Sequence, residues 1–246
     1  MSSLFRILAL YNLTVIAVFA SKSEPASPFQ SGIEAYQNAE YETAKTQFNA
    51  ALDLDETAAA QHNLGLTYLQ LASPALAIWH LERAQLLAPF NADYRLKLEA
   101  VRQQIGLFAG APEWYTLVSA AFPTKTWLLL TTVSFWLLLA VLILPRLSDT
   151  KVSIGLKTLR VISIAALTLS IPSLWINLRI LQTGTVITDR VASLHAAPAS
   201  AAPESGTARP GERARIIDTY KHFYEVETEG LATGWISKDV FRPLVD

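Results

Sequence analysis

Cysteine is absent from the 246 residues, which removes disulfides, thiolate metal sites and cysteine nucleophiles together and leaves the redox compartment open. Charge is scarce as well: Asp, Glu, Lys and Arg make up 17% of the chain against an apolar share of 51%, so part of the apolar excess must lie outside a soluble core. The formal net charge is −1 and no long basic run occurs, so the attraction on which nucleic-acid binding depends is missing. Phosphate-binding glycine loops, nucleophile elbows and paired-histidine metal motifs are missing too. The four histidines, His62, His80, His195 and His222, are scattered over segments far apart in the chain. Ser148 and Lys151 have the spacing of a serine–lysine acyl-transfer motif but stand without its companion motifs, which is what chance produces. No catalytic residue, cofactor site or metal site is therefore expected, and the chain reads as non-enzymatic.

Long apolar runs are abundant, and they organise the chain. Arg6 precedes an apolar stretch over residues 7–18, followed by Val18-Phe19-Ala20 and a polar, proline-containing run. Residues 1–20 thus have the layout of a signal peptide, either cleaved after Ala20 or retained as a signal anchor. Residues 126–144 contain no charge and are too long and too apolar for an ordinary soluble helix, so they predict a membrane span. A second charge-free run follows Arg160, and its 18 residues reach roughly 27 Å as a helix. It extends to residues 161–181 if Arg179 reaches outward, and Pro172 should kink it. The connection, residues 145–160, carries Arg146, Lys151, Lys157 and Arg160 against Asp149 alone, and short basic loops are retained in the cytoplasm. Both flanking regions are then extracytoplasmic, in agreement with the export signal. Neither span interior contains an ionisable residue, which argues against an ion or proton pathway.

Self-comparison finds a repeat. Ala44, Phe48 and Ala51 recur as Ala77, Leu81 and Ala84, and Gly32 recurs as Gly65, each 33 residues later. A period this long fits a helix–turn–helix unit in which small residues let two helices approach and large apolar ones fill the seam between units. Residues 91–104, with Leu96, Leu98 and Val101 among charges, suit a capping helix. Two units and a cap fall short of the roughly three repeats usually needed for independent stability, which implies marginal stability or support from a partner. The next stretch, residues 107–125, includes Phe108, Trp114, Tyr115 and Phe122 and reads as an interfacial aromatic segment. Beyond the second span the pattern turns to short strand-like runs at residues 185–187, 214–217, 223–228 and 234–237, with an Ala/Pro-rich insertion over 196–211.

The first of these modules, residues 28–106, resembles the tetratricopeptide repeat family. Leu64, Gly65, Tyr68, Ala77, Leu81, Ala84 and Pro89 fall on signature positions, although Gln61 stands where the pattern prefers tryptophan and Glu56 where the first copy would close with proline. The resemblance implies a concave partner-binding groove near Ile33, Tyr36, His62, Leu66, Leu69 and Gln70, a mixed apolar surface suited to an apolar or helical segment. Residues 184–246 resemble a bacterial SH3-like domain through Val186-Ile187, Phe223-Tyr224-Glu225-Val226 and Gly234-Trp235-Ile236, with His195 where arginine is common. That likeness implies a ligand groove near Tyr220, Tyr224, Trp235 and Phe241 for peptides or peptidoglycan fragments, whereas aromatics of this kind also fill small barrel cores.

The order of parts resembles the BatE-type proteins of bacterial aerotolerance operons. The expected fold is mainly α, a repeat module plus a transmembrane hairpin, with a small all-β SH3-like barrel at the C-terminus. The resemblance implies an integral cytoplasmic-membrane scaffold acting beside von Willebrand factor A-domain membrane proteins and a MoxR-type ATPase, in envelope assembly or stress tolerance. The alternative is a cell-wall or peptide sensor that uses the SH3-like domain.

Overall fold

A computed structural model describes residues 27–108, 114–147 and 153–245. The signal segment and the Ser148–Lys151 spacing lie outside the described residues. The described chain is mainly helical and ends in one antiparallel sheet. Its helices are α1 (Pro28–Gln37), α2 (Tyr41–Leu54), α3 (Ala58–Gln70), α4 (Pro74–Leu87), α5 (Ala92–Gln104), α6 (Trp114–Ala120), α7 (Thr124–Leu147) and α8 (Ile154–Ile180).

The first four helices form two hairpins that repeat in atomic detail. Ser27 caps α1 ahead of Pro28, Thr57 caps α3 by accepting from Ala60 N at 3.2 Å, and Pro74 opens α4. Each first helix ends in the same left-handed turn. Ala39 (φ 61°) donates to Tyr36 O and Glu40 to Ala35 O, and 33 residues later Ala72 (φ 57°) donates to Leu69 O and Ser73 to Tyr68 O. These are Schellman pairings, which satisfy the last carbonyls of a helix. The seam repeats as well. A Cβ on Gly32 would lie 2.7 Å from Phe48, and one on Gly65 would lie 2.9 Å from Leu81. The equivalent glycines therefore exist to let the equivalent large residues in. Phe48 and Leu64 centre one apolar cluster, and Ile78, Leu81, Leu98, Val101 and Leu107 form the next. Helix α5 closes with the same turn at Gly106 (φ 76°), Leu107 donating to Arg102 O at 2.8 Å.

Helices α7 and α8 pack on each other as an antiparallel hairpin and are long and apolar enough to cross a membrane. Their exteriors carry Leu129, Val133, Trp136, Ile162 and Ile171, while Ser134, Ser163, Ser170 and Ser173 are buried. Small polar residues inside and large apolar ones outside is the arrangement expected where the surroundings are lipid. The helices outrun the apolar stretches: Arg146, Lys157 and Arg160, expected in a connection over residues 145–160, are helical. Charged residues at a span end can remain helical because the backbone still satisfies itself there. Arg160 reaches across to Val141 O at 3.3 Å. The short helix α6 is tied to both, since Ser119 O accepts from Trp127 Nε1 at 2.8 Å and from Asn177 Nδ2 at 2.7 Å.

The sheet follows α8 after only Leu181 and Gln182. Its strands are β1 (Thr183–Val186), β2 (Ala192–His195), β3 (Glu204–Ala208), β4 (Arg213–Tyr220), β5 (Phe223–Thr228), β6 (Thr233–Ser237) and β7 (Phe241–Pro243). The order β3-β2-β6-β5-β4-β1-β7 leaves β3 and β7 as edges, so the sheet is open where a closed barrel was expected. Strand β3 arises inside the Ala/Pro-rich stretch read as an insertion, which composition alone disguised. Val186, Leu194, Val226, Ile236 and Phe241 fill the core. Ile216 N donates to Gln182 O at 2.6 Å and Leu244 N to Thr183 O at 2.9 Å, so the sheet hangs directly from the end of α8.

Candidate functional site

Helix α4 has apolar residues on every side, and such a helix must be covered on every side. One side faces α3. The other is covered by the sheet, although more than 90 residues and both long helices separate the two in sequence. At the centre of that contact lies Glu82, whose side chain is 1% exposed. It accepts from Arg102 Nη1 at 2.7 Å, from Arg213 Nη2 at 2.8 Å, and from the Thr185 hydroxyl. Arg102, itself 4% exposed, also holds both carboxylate oxygens of Glu229, at 2.8 and 2.6 Å. Two carboxylates and two guanidinium groups thus neutralise one another, Glu82 and Arg102 buried at the centre and Arg213 and Glu229 reaching in from the exposed rim. The Glu82 charge, opposed by burial, holds Arg213 above its ordinary value.

Two further clasps lie on either side. Gly211 (φ 70°) sits so close to α4 that a Cβ there would lie 2.5 Å from Ile78. Trp79 and Arg83, one turn apart on α4, reach the end of the chain. Trp79 Nε1 donates to Pro243 O at 2.9 Å, Arg83 donates to Leu244 O, and the Arg242 guanidinium lies 4.8 Å from the Trp79 ring centre. The first turn of α4 is anchored by Asp189, which accepts from Ala75 N at 3.2 Å, a favourable place for a carboxylate.

Arg83 also leads into the repeats. It grips Glu56 through Nε at 2.5 Å and Nη2 at 2.6 Å and holds that carboxyl below its usual range. Glu56 accepts from Gln61 Nε2 at 2.7 Å, which leaves Gln61 Oε1 to accept from His80 Nδ1 at 2.7 Å. The tautomer assigned on this network carries its proton on Nδ1. His80 is stacked on Tyr68, with ring centres 5.1 Å apart, and burial, with Arg242 adding to it, pushes the imidazole down to about 3. His62 is lowered by burial too, with Lys97 adding, and stacks on Tyr94 at 4.4 Å.

The residues expected to form a repeat groove are divided. Ile33 and Tyr36 pack on the first apolar cluster, Leu69 packs on the second, and His62 lies under Tyr94. Leu66 stays half-buried and Gln70 exposed. The aromatics expected to form a second groove are not gathered into one. Tyr224 is opposite Ile236 in the register and shares the core face with Phe241, 5.8 Å away, whereas Trp235 is opposite Glu225 on the other face. Phe241 is 1% exposed and acts as core, and Tyr220 stands exposed at the end of β4. A cleft of about 420 Å³ on the sheet brings together His195, His222 and Asp239, which are distant in sequence, beside Val191, Phe223 and Val240. No cluster of three or more metal-ligating side chains occurs among the described residues. Comparison with protein-family models gives no match, and comparison with curated proteins gives none.

Sequence reading passed over Glu82, Arg102, Arg213 and Glu229. One signal was available: Glu82 and His80 stand among apolar residues of a helix that is apolar over most of its circumference. Its partners could not be named, because their approach depends on the hairpin returning the chain.

Two outcomes follow. Glu82→Gln should leave two guanidinium groups short of a buried counter-charge and destabilise the full chain in detergent by about 3–5 kcal/mol, whereas Glu42→Gln, which breaks an exposed pair, should cost about 0–1 kcal/mol. Thermal unfolding of both variants checks this, and equal melting points would refute the central role of Glu82. Because the folded His80 is held below its ordinary value, the unfolded chain binds more protons as pH falls below about 6.5, and stability should drop by up to about 1.4 kcal/mol per unit on this account. Melting between pH 6.5 and 4.5 should therefore be flatter in His80→Gln, with His62 supplying the remaining slope. An unchanged slope would contradict the assignment.

Proposed function

We propose that this chain is a non-enzymatic scaffold anchored in the membrane by α7 and α8, presenting tetratricopeptide-like repeats and an SH3-like sheet as one rigid body. The observation that carries the reading is the closure of α4 by the sheet around Glu82. A module too short to stand alone is completed by another part of the same chain, and the surface that remains for a partner is on the first helices of the repeats, around Leu66 and Gln70. Partners of the kind that the BatE-type resemblance suggests, membrane-anchored von Willebrand factor A-domain proteins beside a MoxR-type ATPase, fit a rigid body held close to the bilayer.

The orientation rests on charge. Arg146, Lys157 and Arg160 lie toward the turn of the hairpin, and basic residues there favour the cytoplasmic side. The parts before α7 and after α8 touch each other, so a single side must accommodate both. The other side is extracytoplasmic on this reading.

Alkaline phosphatase fused after Asp246 is expected to be active in cells; activity only for a cytoplasmic reporter at the same place would overturn the orientation. Leu66→Glu with Gln70→Arg should reduce partner recovery from detergent extracts by about tenfold or more while leaving helical circular dichroism intact. Full recovery would count against the repeat face as the binding surface.

A further inference from the structure

The repeats, the hairpin and Val245 line an open cavity of about 460 Å³. Its walls include Leu87 from the end of α4, Phe90 from the α4–α5 turn, Phe122 from the α6–α7 turn, Ile180 and Leu181 from the end of α8, and Val245. Phe90 is 66% exposed, Phe122 53% and Leu87 42%, a concentration of large apolar surface that water covers poorly. Asn177 also lines the space, but both its amide hydrogens are committed to the carbonyls of Ser119 and Ser173, at 2.7 and 2.9 Å. Little in the walls asks for a polar occupant.

Position decides what the occupant is. Thr124, the first residue of α7, and Ile180, the last of α8, are both in the wall, so the cavity sits where the two long helices emerge. Aromatic and basic residues mark the same level: the Arg179 guanidinium stacks 3.9 Å from the Trp175 ring centre, and Trp114 and Tyr115 are exposed on α6. Such side chains favour the boundary between headgroups and hydrocarbon. Ile180 and Leu181 of the wall follow directly on the exposed Leu178 of the hairpin, whose apolar exterior is itself suited to acyl chains. We infer that an acyl chain of the surrounding bilayer fills this cavity, and that the α4–α5 turn is thereby seated on the membrane, fixing the height and tilt of the repeat face.

The inference rests on α7 and α8 being membrane spans, and the test separates the two. Because the chain has no cysteine, single cysteines can carry a nitroxide without background. Phe90→Cys and Leu87→Cys report on the cavity, Phe135→Cys on the middle of α7, and Ala201→Cys on the β2–β3 turn at the sheet edge farthest in strand order from β1 and β7. Each full-length variant is placed in phosphatidylcholine vesicles, and collisions with oxygen, which concentrates in hydrocarbon, are compared with collisions with a water-soluble nickel chelate. The oxygen-to-nickel ratio at Phe90 and Leu87 is expected to approach that at Phe135 and to exceed that at Ala201 several-fold. A ratio at both cavity positions equal to that at Ala201, with Phe135 still in lipid, would overturn the inference alone. Shielding of both positions from both reagents would also overturn it, since protein rather than lipid would then fill the space. A water-exposed Phe135 would overturn the membrane reading and the inference with it.

Discussion

Burying a carboxylate is expensive unless charge and hydrogen bonds are supplied to it, and Glu82 is buried in the middle of a helix that has apolar neighbours on every side. Its compensation comes partly from Arg102, one helix away, and partly from Thr185 and Arg213, which belong to the sheet. Helix α4 can therefore adopt its observed surroundings only when the sheet is present. The reverse also holds, because Glu229 would lose Arg102 and Arg213 would lose Glu82 if the contact opened. Removing one member of such a cluster strands the rest, whereas the intact set adds more to geometric specificity than to net stability.

That dependence accounts for the architecture around it. Two hairpins and a single further helix leave the end of the stack uncovered, and the covering layer is a sheet rather than another helix. Gly211 packs against Ile78, Ile105 and Leu107, and the carbonyls of Pro243 and Leu244 receive Trp79 and Arg83. The long helices between the two parts must return the chain to its starting side for these contacts to form. An antiparallel hairpin does so, and with Leu181 and Gln182 alone between α8 and β1 the sheet has little freedom relative to the helix that carries it.

Much of this was legible because it is local. The repeat could be read from Gly32 and Gly65 with Phe48 and Leu81, since close helix packing leaves a small-and-large pattern at a fixed interval. The two apolar runs marked α7 and α8, and Phe223–Thr228 was read as a strand with its observed bounds. Edges were less legible: the basic residues flanking the spans were read as loop, because charge ends an apolar run without ending a helix. Strand β3 escaped notice among Ala, Pro and Ser, since its pairing with β2 is set by the partner strand rather than by its own propensity. The aromatics Tyr224 and Trp235 looked like neighbours in sequence space but lie on opposite faces, because one residue of register reverses a side chain.

The amino-acid order by itself determined which segments are helical, which pairs of helices close on each other and which helices suit a membrane, because periodicity, capping and hydropathy act over a few turns. Only the tertiary structure decided that the repeats and the sheet pack together, that Glu82 has its partners, and that Leu87, Phe90, Phe122 and Val245 share a cavity beside the start of α7 and the end of α8. Contacts of that kind join residues across the whole hairpin through backbone carbonyls and charges whose identities are common everywhere in the chain, so their meaning comes from where the fold brings them.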